Sequence, residues 1–339
     1  MSNITVLLTG ATGSLGASTL VRLLSESNPD ITVIAVLRSF ARSKAFLKSK
    51  YPLQVSAGQL LFVEIPDMTT PNAFDEPASR ADVIMHIATP MARDNLMENL
   101  VKPSSVIVQN VLSAAEKSGR VRRVIITGSL LAAVGIAGLF MGRTITEEDW
   151  NPITLEEAEA VPVNAYQYSK VHAEKEAWKF MNEKPRAFDL IFLLAPTILG
   201  RSLQGGFKPE KGHLGGQPGL YKALFDVDTP GPLFPIFADV ADVARIHVEA
   251  ISQQIPGNER YIFHSPELIA STPTVLAIRE DFPQLQGRVP APEEGAGDGM
   301  PPNLIKTDQS KFEKAFGEQD WKSARLSIQD TVQDIEDYE

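Results

Sequence analysis

The first half of the chain alternates short apolar runs with longer segments of mixed character. The runs lack the strict apolar-polar alternation of a half-exposed strand, which indicates strands covered on both faces of a sheet. Strand, helix, strand at this rhythm predicts a doubly wound α/β fold with a parallel sheet. The predicted strands are residues 4–9, 31–37, 60–65, 82–88, 123–128 and 188–196.

Segments of helical length separate these strands. Residues 14–27 and 98–117 are predicted helices, and Gly119 follows the second one where a helix C-terminus favours glycine. The stretch 165–178, AYQYSKVHAEKEAW, is predicted as the next helix.

Two tyrosines in that stretch compete for a pairing with one lysine. Tyr166 precedes Lys170 by four residues and Tyr168 precedes it by two. Residues four apart share a helical face, whereas residues two apart do not. The spacing therefore favours Tyr166.

The composition of the chain changes after Pro196, where glycine and proline cluster in residues 200–219 and 290–302. Both segments are predicted loops of a smaller C-terminal lobe. The lobe is predicted to hold a helix around 241–254, a strand near 260–263 and terminal helices within 310–337.

Composition and charge narrow the possible functions. The 339 residues are 43% hydrophobic and 22% charged, which is ordinary for a globular protein. A formal charge of -10 argues against nonspecific nucleic-acid binding, which needs a basic face. The chain has no cysteine, so it has neither disulfides nor a thiolate nucleophile. The first residues lack the pattern of a signal peptide, and we expect a cytoplasmic protein.

One apolar stretch, residues 124–142, is uncharged over a length that could cross a bilayer. Its β-branched start and its glycines favour the alternative, a buried strand followed by an apolar loop. We therefore expect no membrane partner.

Three glycines in residues 9–16, TGATGSLG, lie directly between the first predicted strand and the first predicted helix. Glycine permits a tight turn and lets backbone amides approach a pyrophosphate at the positive helix end. The alternative is a glycine-rich turn without a ligand. The context favours a Rossmann-type dinucleotide site formed by Gly10, Thr12, Gly13, Ser14, Leu15 and Gly16.

The residue at the end of the second strand selects the dinucleotide. A carboxylate there suits the ribose of NAD, whereas a cation suits the 2′-phosphate of NADP. This chain has Arg38, followed by Arg42 and Lys44. The sequence predicts that NADPH is bound by Arg38 and Lys44, and it leaves open whether Arg42 assists instead of Lys44. The alternative interpretation is that these residues are solvated charges at the start of a helix.

The later strand ends carry further candidates. Asp67 and Met68 follow the third strand, where a carboxylate could accept a hydrogen bond from the adenine amino group. Ala88 and Thr89 follow the fourth strand and line the crevice there. His86 lies in an apolar run and is interpreted as a core residue. The histidines lack metal-ligand spacing, so no metal site is predicted.

These motifs resemble the extended short-chain dehydrogenases/reductases, within them the dihydroflavonol-reductase-like branch that includes ketone and methylglyoxal reductases. The shared features are the TGxxGxxG turn, YxxxK at 166–170 and a DVxDVAxxH segment within 237–250. The resemblance spans nearly the whole chain and is weakest over 200–235. It implies an NADP-binding Rossmann domain at 1–196 with the catalytic residues, and an interleaved substrate-binding lobe at 197–339.

The resemblance also implies residue roles. Tyr166 is the implied proton donor, Lys170 binds the nicotinamide ribose and favours the ionised tyrosine, and Ser129 hydrogen-bonds the substrate carbonyl. Pro196 and Thr197 are implied to hold the carboxamide end of the nicotinamide.

Two departures from the family pattern bear on these roles. Many members carry two serines after the fifth strand, whereas this chain has Gly128 and Ser129, with Thr127 a less favoured substitute. Asn110, on the preceding helix, is interpreted as structural.

The leading interpretation is an NADPH-dependent reductase of a ketone or aldehyde, a small-molecule carbonyl substrate. The loops 131–142 and 200–219 favour a bulky specialised metabolite. The alternatives are an epimerase or hydroxysteroid-type dehydrogenase, a non-enzymatic NADP-binding sensor, and a cofactor-dependent non-redox cyclase. Arg38 argues against an epimerase, and the tyrosine-lysine pair argues against a sensor. Monomer and homodimer both remain open.

Overall fold

A computed structural model describes residues 3–25, 30–90, 92, 94–203 and 234–337. Most of the loop predicted at 200–219 lies outside these ranges. The strands are β1 (Ile4–Thr9), β2 (Ile31–Leu37), β3 (Leu60–Glu64), β4 (Val83–His86), β5 (Arg123–Thr127), β6 (Thr144–Ile145), β7 (Asp189–Leu194), β8 (Thr197–Leu199), β9 (Phe237–Asp239), β10 (Glu259–Ile262) and β11 (Lys306–Thr307).

The α-helices of the described residues follow the same chain order. They are α1 (Ser14–Leu23), α2 (Phe40–Lys50), α3 (Pro52–Ser56), α4 (Asp75–Ala78), α5 (Lys102–Ser118), α6 (Leu155–Ala160), α7 (Pro162–Asn182), α8 (Val240–Glu249), α9 (Ser271–Asp281), α10 (Ser310–Phe316) and α11 (Ala324–Glu336).

Within the described ranges, seven strands form one parallel sheet in the order β3-β2-β1-β4-β5-β7-β10. The predicted doubly wound α/β fold is therefore confirmed. The order reverses between β1 and β4, which opens a crevice at the carboxyl ends of these two strands.

The absence of alternation in the predicted strands has a simple cause. In β1, Val6 and Leu8 pack into the core on one face of the sheet, while Leu7 packs into the core on the other. In β2, Val33 and Ile34 divide in the same way. Because helices cover both faces, consecutive positions of these strands are apolar instead of alternating with polar ones.

The apolar stretch 124–142 forms β5 and two 3-10 turns, Leu130–Ala132 and Ile136–Phe140. In the part of the chain that the structure describes, no helix combines the length and the hydrophobicity needed to span a bilayer.

The C-terminal half returns to the sheet. The strand predicted near 260–263 is β10, which pairs with β7 at the sheet edge, and the helix predicted around 241–254 is α8, which packs on α1. The short pairs β8 with β9 and β6 with β11 were not predicted, since two or three residues carry no readable pattern.

A buried ion pair fastens β10 to α7. Arg260 Nε donates to Glu174 Oε1 at 2.7 Å, and both side chains are more than 90% buried, with exposures of 8% and 1%. The guanidinium carbon lies 3.7 Å from the centroid of the Trp150 ring, and Nη1 donates to the Asp149 carbonyl at 2.9 Å. Glu174 lies one helical turn beyond Lys170, so this pair anchors α7 near Lys170 and Tyr166.

Arg260→Met should lower the free energy of unfolding by roughly 3–5 kcal/mol, because it leaves a buried carboxylate without its partner. Urea denaturation measures the loss. Arg80→Met breaks an exposed pair with Glu76 and should cost about 0.5 kcal/mol or less. The double variant Arg260→Met with Glu174→Leu should recover most of the loss, and equal losses for the Arg260 and Arg80 single variants would contradict the assignment.

Candidate active site

The carboxyl ends of β1 and β4 are joined by side-chain hydrogen bonds. Thr9 pairs with His86 in the strand register, and Thr9 Oγ1 lies 2.8 Å from His86 Nδ1. The same hydroxyl accepts bonds from the amides of Ile87 and Ala88, both at 3.2 Å. Since its lone pairs are used, the Thr9 hydroxyl donates to His86 Nδ1, and the ring carries its proton on Nε2.

His86 is a buried neutral residue, as expected for a core histidine. Burial lowers the pKa of His86 to about 3, with a smaller contribution from the charge of Lys170. An imidazole in this state holds Thr9 and the backbone beyond β4 in place without adding charge to the crevice.

The glycine turn has no room for side chains at two of its positions. Gly10 has φ +77°, and a Cβ there would lie 2.8 Å from the Ala88 amide nitrogen. A Cβ on Gly16 would lie 1.8 Å from the Gly10 carbonyl oxygen. The first glycine thus permits close approach of the β1 and β4 ends, and the third lets α1 pack on the turn.

The N-terminus of α1 can hold an anion. Gly13 is its N-cap residue, without a side-chain cap, and the first turn contains no acidic residue. The amides of Ser14 and Leu15 therefore meet the crevice at the positive end of a ten-residue helix, and Thr12 is exposed beside them. A pyrophosphate fits this arrangement.

Arg38 and Asp67 lie at the ends of neighbouring strands β2 and β3. Asp67 Oδ1 accepts bonds from the Thr69 hydroxyl at 2.7 Å and the Thr69 amide at 2.8 Å. These bonds, and to a lesser degree the Arg38 charge, hold the pKa of the Asp67 carboxyl below its usual range. Both side chains are exposed and available to a ligand at this end of the crevice.

Lys44 and Arg42, the two candidates to assist Arg38, have different surroundings. Lys44 Nζ lies 3.8 Å from the centroid of the Phe40 ring. Arg42 instead lines a small cavity of about 30 Å³ together with Ala11 and Thr12 of the glycine turn. Arg42 is therefore the one that shares a cavity with the turn.

Tyr166 and Lys170 share one face of α7, as the spacing predicts. Lys170 Nζ lies 5.8 Å from the centroid of the Tyr166 ring and donates to Thr89 Oγ1 at 3.0 Å, with the Thr127 carbonyl at 3.5 Å. The ammonium thus connects α7 to the segment that follows β4 and to the last residue of β5. Tyr168 turns away and stacks on His172, 5.4 Å between ring centroids.

Ser129 is buried at the start of the 3-10 turn that follows β5. Its Oγ accepts a bond from the Leu131 amide at 3.2 Å, so its own proton can be donated to a ligand. The amide of Leu130 donates to the Ala195 carbonyl at 2.8 Å, which fixes this segment beside the end of β7. A Cβ on Gly128 would lie 2.7 Å from a Leu194 methyl carbon, so a serine there would require the Leu194 side chain to shift.

The remaining predicted residues follow the ends of strands β3 and β7. Pro196 and Thr197 follow β7, and Thr197 begins the short strand β8. The Met68 carbonyl accepts a bond from Asn110 Nδ2 at 3.0 Å, so Asn110 connects α5 to the loop after β3. Within the described ranges, no cluster of acidic residues and histidines could hold a metal ion.

Sequence reasoning missed His247, although it is the histidine of the DVxDVAxxH segment. Its Nδ1 lies 2.7 Å from the Val243 carbonyl and must carry the proton, so Nε2 accepts from Thr127 Oγ1 at 2.8 Å. Burial lowers the pKa of His247 to about 4, although the bond to Val243 raises it. α8 thereby holds the end of β5, two residues before Ser129.

Comparisons with known proteins indicate the family and the fold of the chain. The model of the NAD dependent epimerase/dehydratase family matches residues 6–214. Ketoreductase CTB6 of Cercospora nicotianae is 30% identical, over 94% of this chain and 91% of its own. The NADPH-dependent methylglyoxal reductase GRE2 of Saccharomyces cerevisiae is 28% identical, over 98% of each chain. The crystal structure of Gre2 from Candida albicans in complex with NADPH superposes with a TM-score of 0.85, at 26% identity and 99% coverage of both chains.

The two buried histidines predict how stability depends on pH. Between pH 7 and pH 5 the unfolded chain takes up protons on histidines that stay neutral in the folded protein, so the free energy of unfolding falls as the pH falls. His86 and His247 should each contribute a loss of roughly 2 kcal/mol over that interval. Urea denaturation at pH 5, 6 and 7 should show a shallower pH dependence for His247→Gln. An unchanged slope would contradict the neutral state assigned to His247.

Proposed function

The chain belongs to the NAD dependent epimerase/dehydratase family, and from that premise we propose that it is an NADPH-dependent reductase of a ketone or aldehyde. The observation that carries the proposal is the position of Lys170, whose ammonium lies 5.8 Å from the centroid of the Tyr166 ring and donates to Thr89 Oγ1 beyond β4. The relatives named as a ketoreductase and a methylglyoxal reductase support the same reaction class.

The cofactor would lie along the crevice. Its pyrophosphate would meet the α1 N-terminus, and its adenosine would reach Arg38 and Asp67, with Arg38 on the 2′-phosphate. Lys170 and Thr89 would contact the nicotinamide ribose, and Pro196 and Thr197 the carboxamide. NADPH, when bound, supplies the hydride for the carbonyl carbon.

Proton delivery falls to this chain's own residues. Tyr166 gives its phenolic proton to the carbonyl oxygen as the carbon is reduced, so that oxyanion charge does not build up fully. The Ser129 hydroxyl donates a second hydrogen bond to that oxygen and polarises the carbonyl. The Lys170 ammonium stabilises the negative charge left on the tyrosine oxygen.

The same proposal assigns the two parts of the chain. Residues 1–196 form the NADP-binding Rossmann domain with the catalytic residues, and residues 197–339 form the substrate-binding lobe. The lobe is interleaved with the first part, because β10 joins the sheet and α8 packs on α1. The apolar segment 131–142, where Met141 is exposed, supports a bulky, apolar substrate.

Calorimetric titration with NADPH and NADH tests the cofactor half of the proposal without a known substrate. NADPH should bind tightly and in preference to NADH. A panel of carbonyl compounds, with methylglyoxal and prochiral ketones among them, then tests the reaction through NADPH oxidation. Folded protein that binds neither nucleotide would refute the reductase, and isomerisation of a substrate without net NADPH consumption would favour the cyclase.

Tyr166→Phe should lower kcat by roughly 10²–10⁴-fold, because the ring remains while the acid is lost. The Kd for NADPH should stay within about threefold, since the phosphates are held elsewhere. Tyr168→Phe is the matched control: it removes the same atom from a ring stacked on His172, and its kcat should resemble that of the wild type. Retained activity in Tyr166→Phe would remove Tyr166 from the acid role.

Arg38→Asp should reverse the preference from NADPH toward NADH, because a carboxylate repels the 2′-phosphate and accepts the ribose hydroxyls. Calorimetric Kd values for both nucleotides measure the change. Arg42→Ala should weaken NADPH binding more than Lys44→Ala does, since Arg42 shares a cavity with the glycine turn. An unchanged preference in Arg38→Asp would place recognition of the 2′-phosphate elsewhere.

A further inference from the structure

Buried amide side chains connect the segment after Ser129 to the helix that carries Tyr166. Asn151 and Gln167 are each 3% exposed, and Asn151 Nδ2 lies 3.3 Å from Gln167 Oε1. Gln167 directly follows Tyr166 in α7, while Asn151 lies between β6 and α6. We propose that Asn151 and Gln167 are positioning residues that set the spacing between Ser129 and Tyr166, an inference that rests on the reductase function proposed above.

The two amides bind backbone groups of the segment that Ser129 begins. Asn151 Nδ2 donates to the Leu131 carbonyl at 2.9 Å, and the Asn151 amide donates to the Ala132 carbonyl at 2.9 Å. Gln167 Oε1 accepts from the Ile136 amide at 2.9 Å. The carbonyls at the end of a short helical turn need partners from outside it, and these bonds supply them.

On the other side the connection continues along α7 to α6. Gln167 Nε2 donates to Asn164 Oδ1 at 2.9 Å, and Asn164 Nδ2 donates to the Glu157 carbonyl at 3.1 Å. The bonds at both ends are made to backbone groups, which either only donate or only accept. Each amide therefore has one orientation, and the donors run in one direction only from Asn151 through Gln167 and Asn164 to the Glu157 carbonyl.

Asn151 also packs tightly against the backbone of Gly135. A Cβ on Gly135 would lie 2.9 Å from Asn151 Oδ1, so the loop backbone lies directly on the amide. Asn151 Oδ1 in turn accepts from the Ile153 amide at 3.1 Å. The segment 131–136 thus cannot move toward α7 unless Asn151 moves with it.

This geometry matters because two hydroxyls must reach one carbonyl oxygen. Ser129 lies on the segment that the amides hold, and Tyr166 lies on the helix that carries Gln167. A shift of about 1 Å between groups that act together can cost about 10²-fold in rate. The amide connection couples the two groups across the substrate position, although it touches no reacting atom.

The test uses two variants that keep side-chain volume. Gln167→Met removes all three hydrogen bonds of that side chain, and Asn151→Asp removes the side-chain NH₂ group that donates to Leu131 and Gln167, while keeping the shape. Phe312→Leu, in the buried aromatic contact of α10 with Phe263 just after β10, is the control for general destabilisation. The probe is ethyl 3-oxobutanoate with NADPH, and the readouts are kcat, KM, the enantiomeric excess of the alcohol, and the Kd for NADPH.

Both variants should lower kcat/KM by about 10–100-fold and reduce the enantiomeric excess, with the Kd for NADPH within about twofold. The kcat/KM of the double variant should lie within about threefold of that of the less active single variant, because the two side chains act as one unit. In the free protein, hydrogen exchange of the amides in 131–136 should be faster in both variants and unchanged in Phe312→Leu.

Activity losses that match those of Phe312→Leu, with unchanged enantiomeric excess, would overturn the proposal and leave the amides a purely structural role. Wild-type protein that binds NADPH but reduces no carbonyl would instead refute the proposed function. Hydrogen exchange then decides the positioning claim by itself: faster exchange of 131–136 in both variants would support it, and unchanged exchange would overturn it.

Discussion

Parallel pairing of β1 with β4, and of β4 with β5, brings the ends of these strands to one level, and the candidate site depends on that alignment. Thr9 and His86 are register partners, so their side chains meet directly at the carboxyl edge. The same alignment brings the Gly10 backbone against the Ala88 amide, a contact that leaves no space for a Cβ. A slip in the register would separate the glycine turn from Thr89, and with it from Lys170.

Residues of the C-terminal half stabilise the carboxyl edge of the sheet through buried contacts with β5 and α7. His247 of α8 holds Thr127 at the end of β5, and Arg260 of β10 holds Glu174 of α7. Both contacts are buried and polar, so each costs much to break and permits few alternative arrangements. The interleaving of the two parts of the chain is thus more than a matter of topology, because residues after 237 hold the strand and the helix that carry Ser129 and Lys170.

Neutral histidines and uncharged amides perform most of this positioning. A threonine-histidine pair or a row of amides fixes the orientation of neighbouring groups without adding net charge. The Lys170 ammonium contacts Thr89 beyond β4 and the Thr127 carbonyl at the end of β5. The arrangement concentrates positive charge where the proposed mechanism leaves negative charge on Tyr166.

The sequence by itself determined the doubly wound sheet, the glycine turn and the i,i+4 pairing of Tyr166 with Lys170, because each depends on local pattern or spacing. It also indicated Ser129 and Arg38, which follow strand ends that the pattern makes visible. It did not reveal His247, Asn151 or Gln167 as parts of the site's framework. Their contacts join residues from 16 to 120 positions apart, and only the folded backbone brings such residues within hydrogen-bond distance. The sequence also could not decide which of Arg42 and Lys44 lies beside the glycine turn, since the direction of each side chain depends on how α2 packs against that turn.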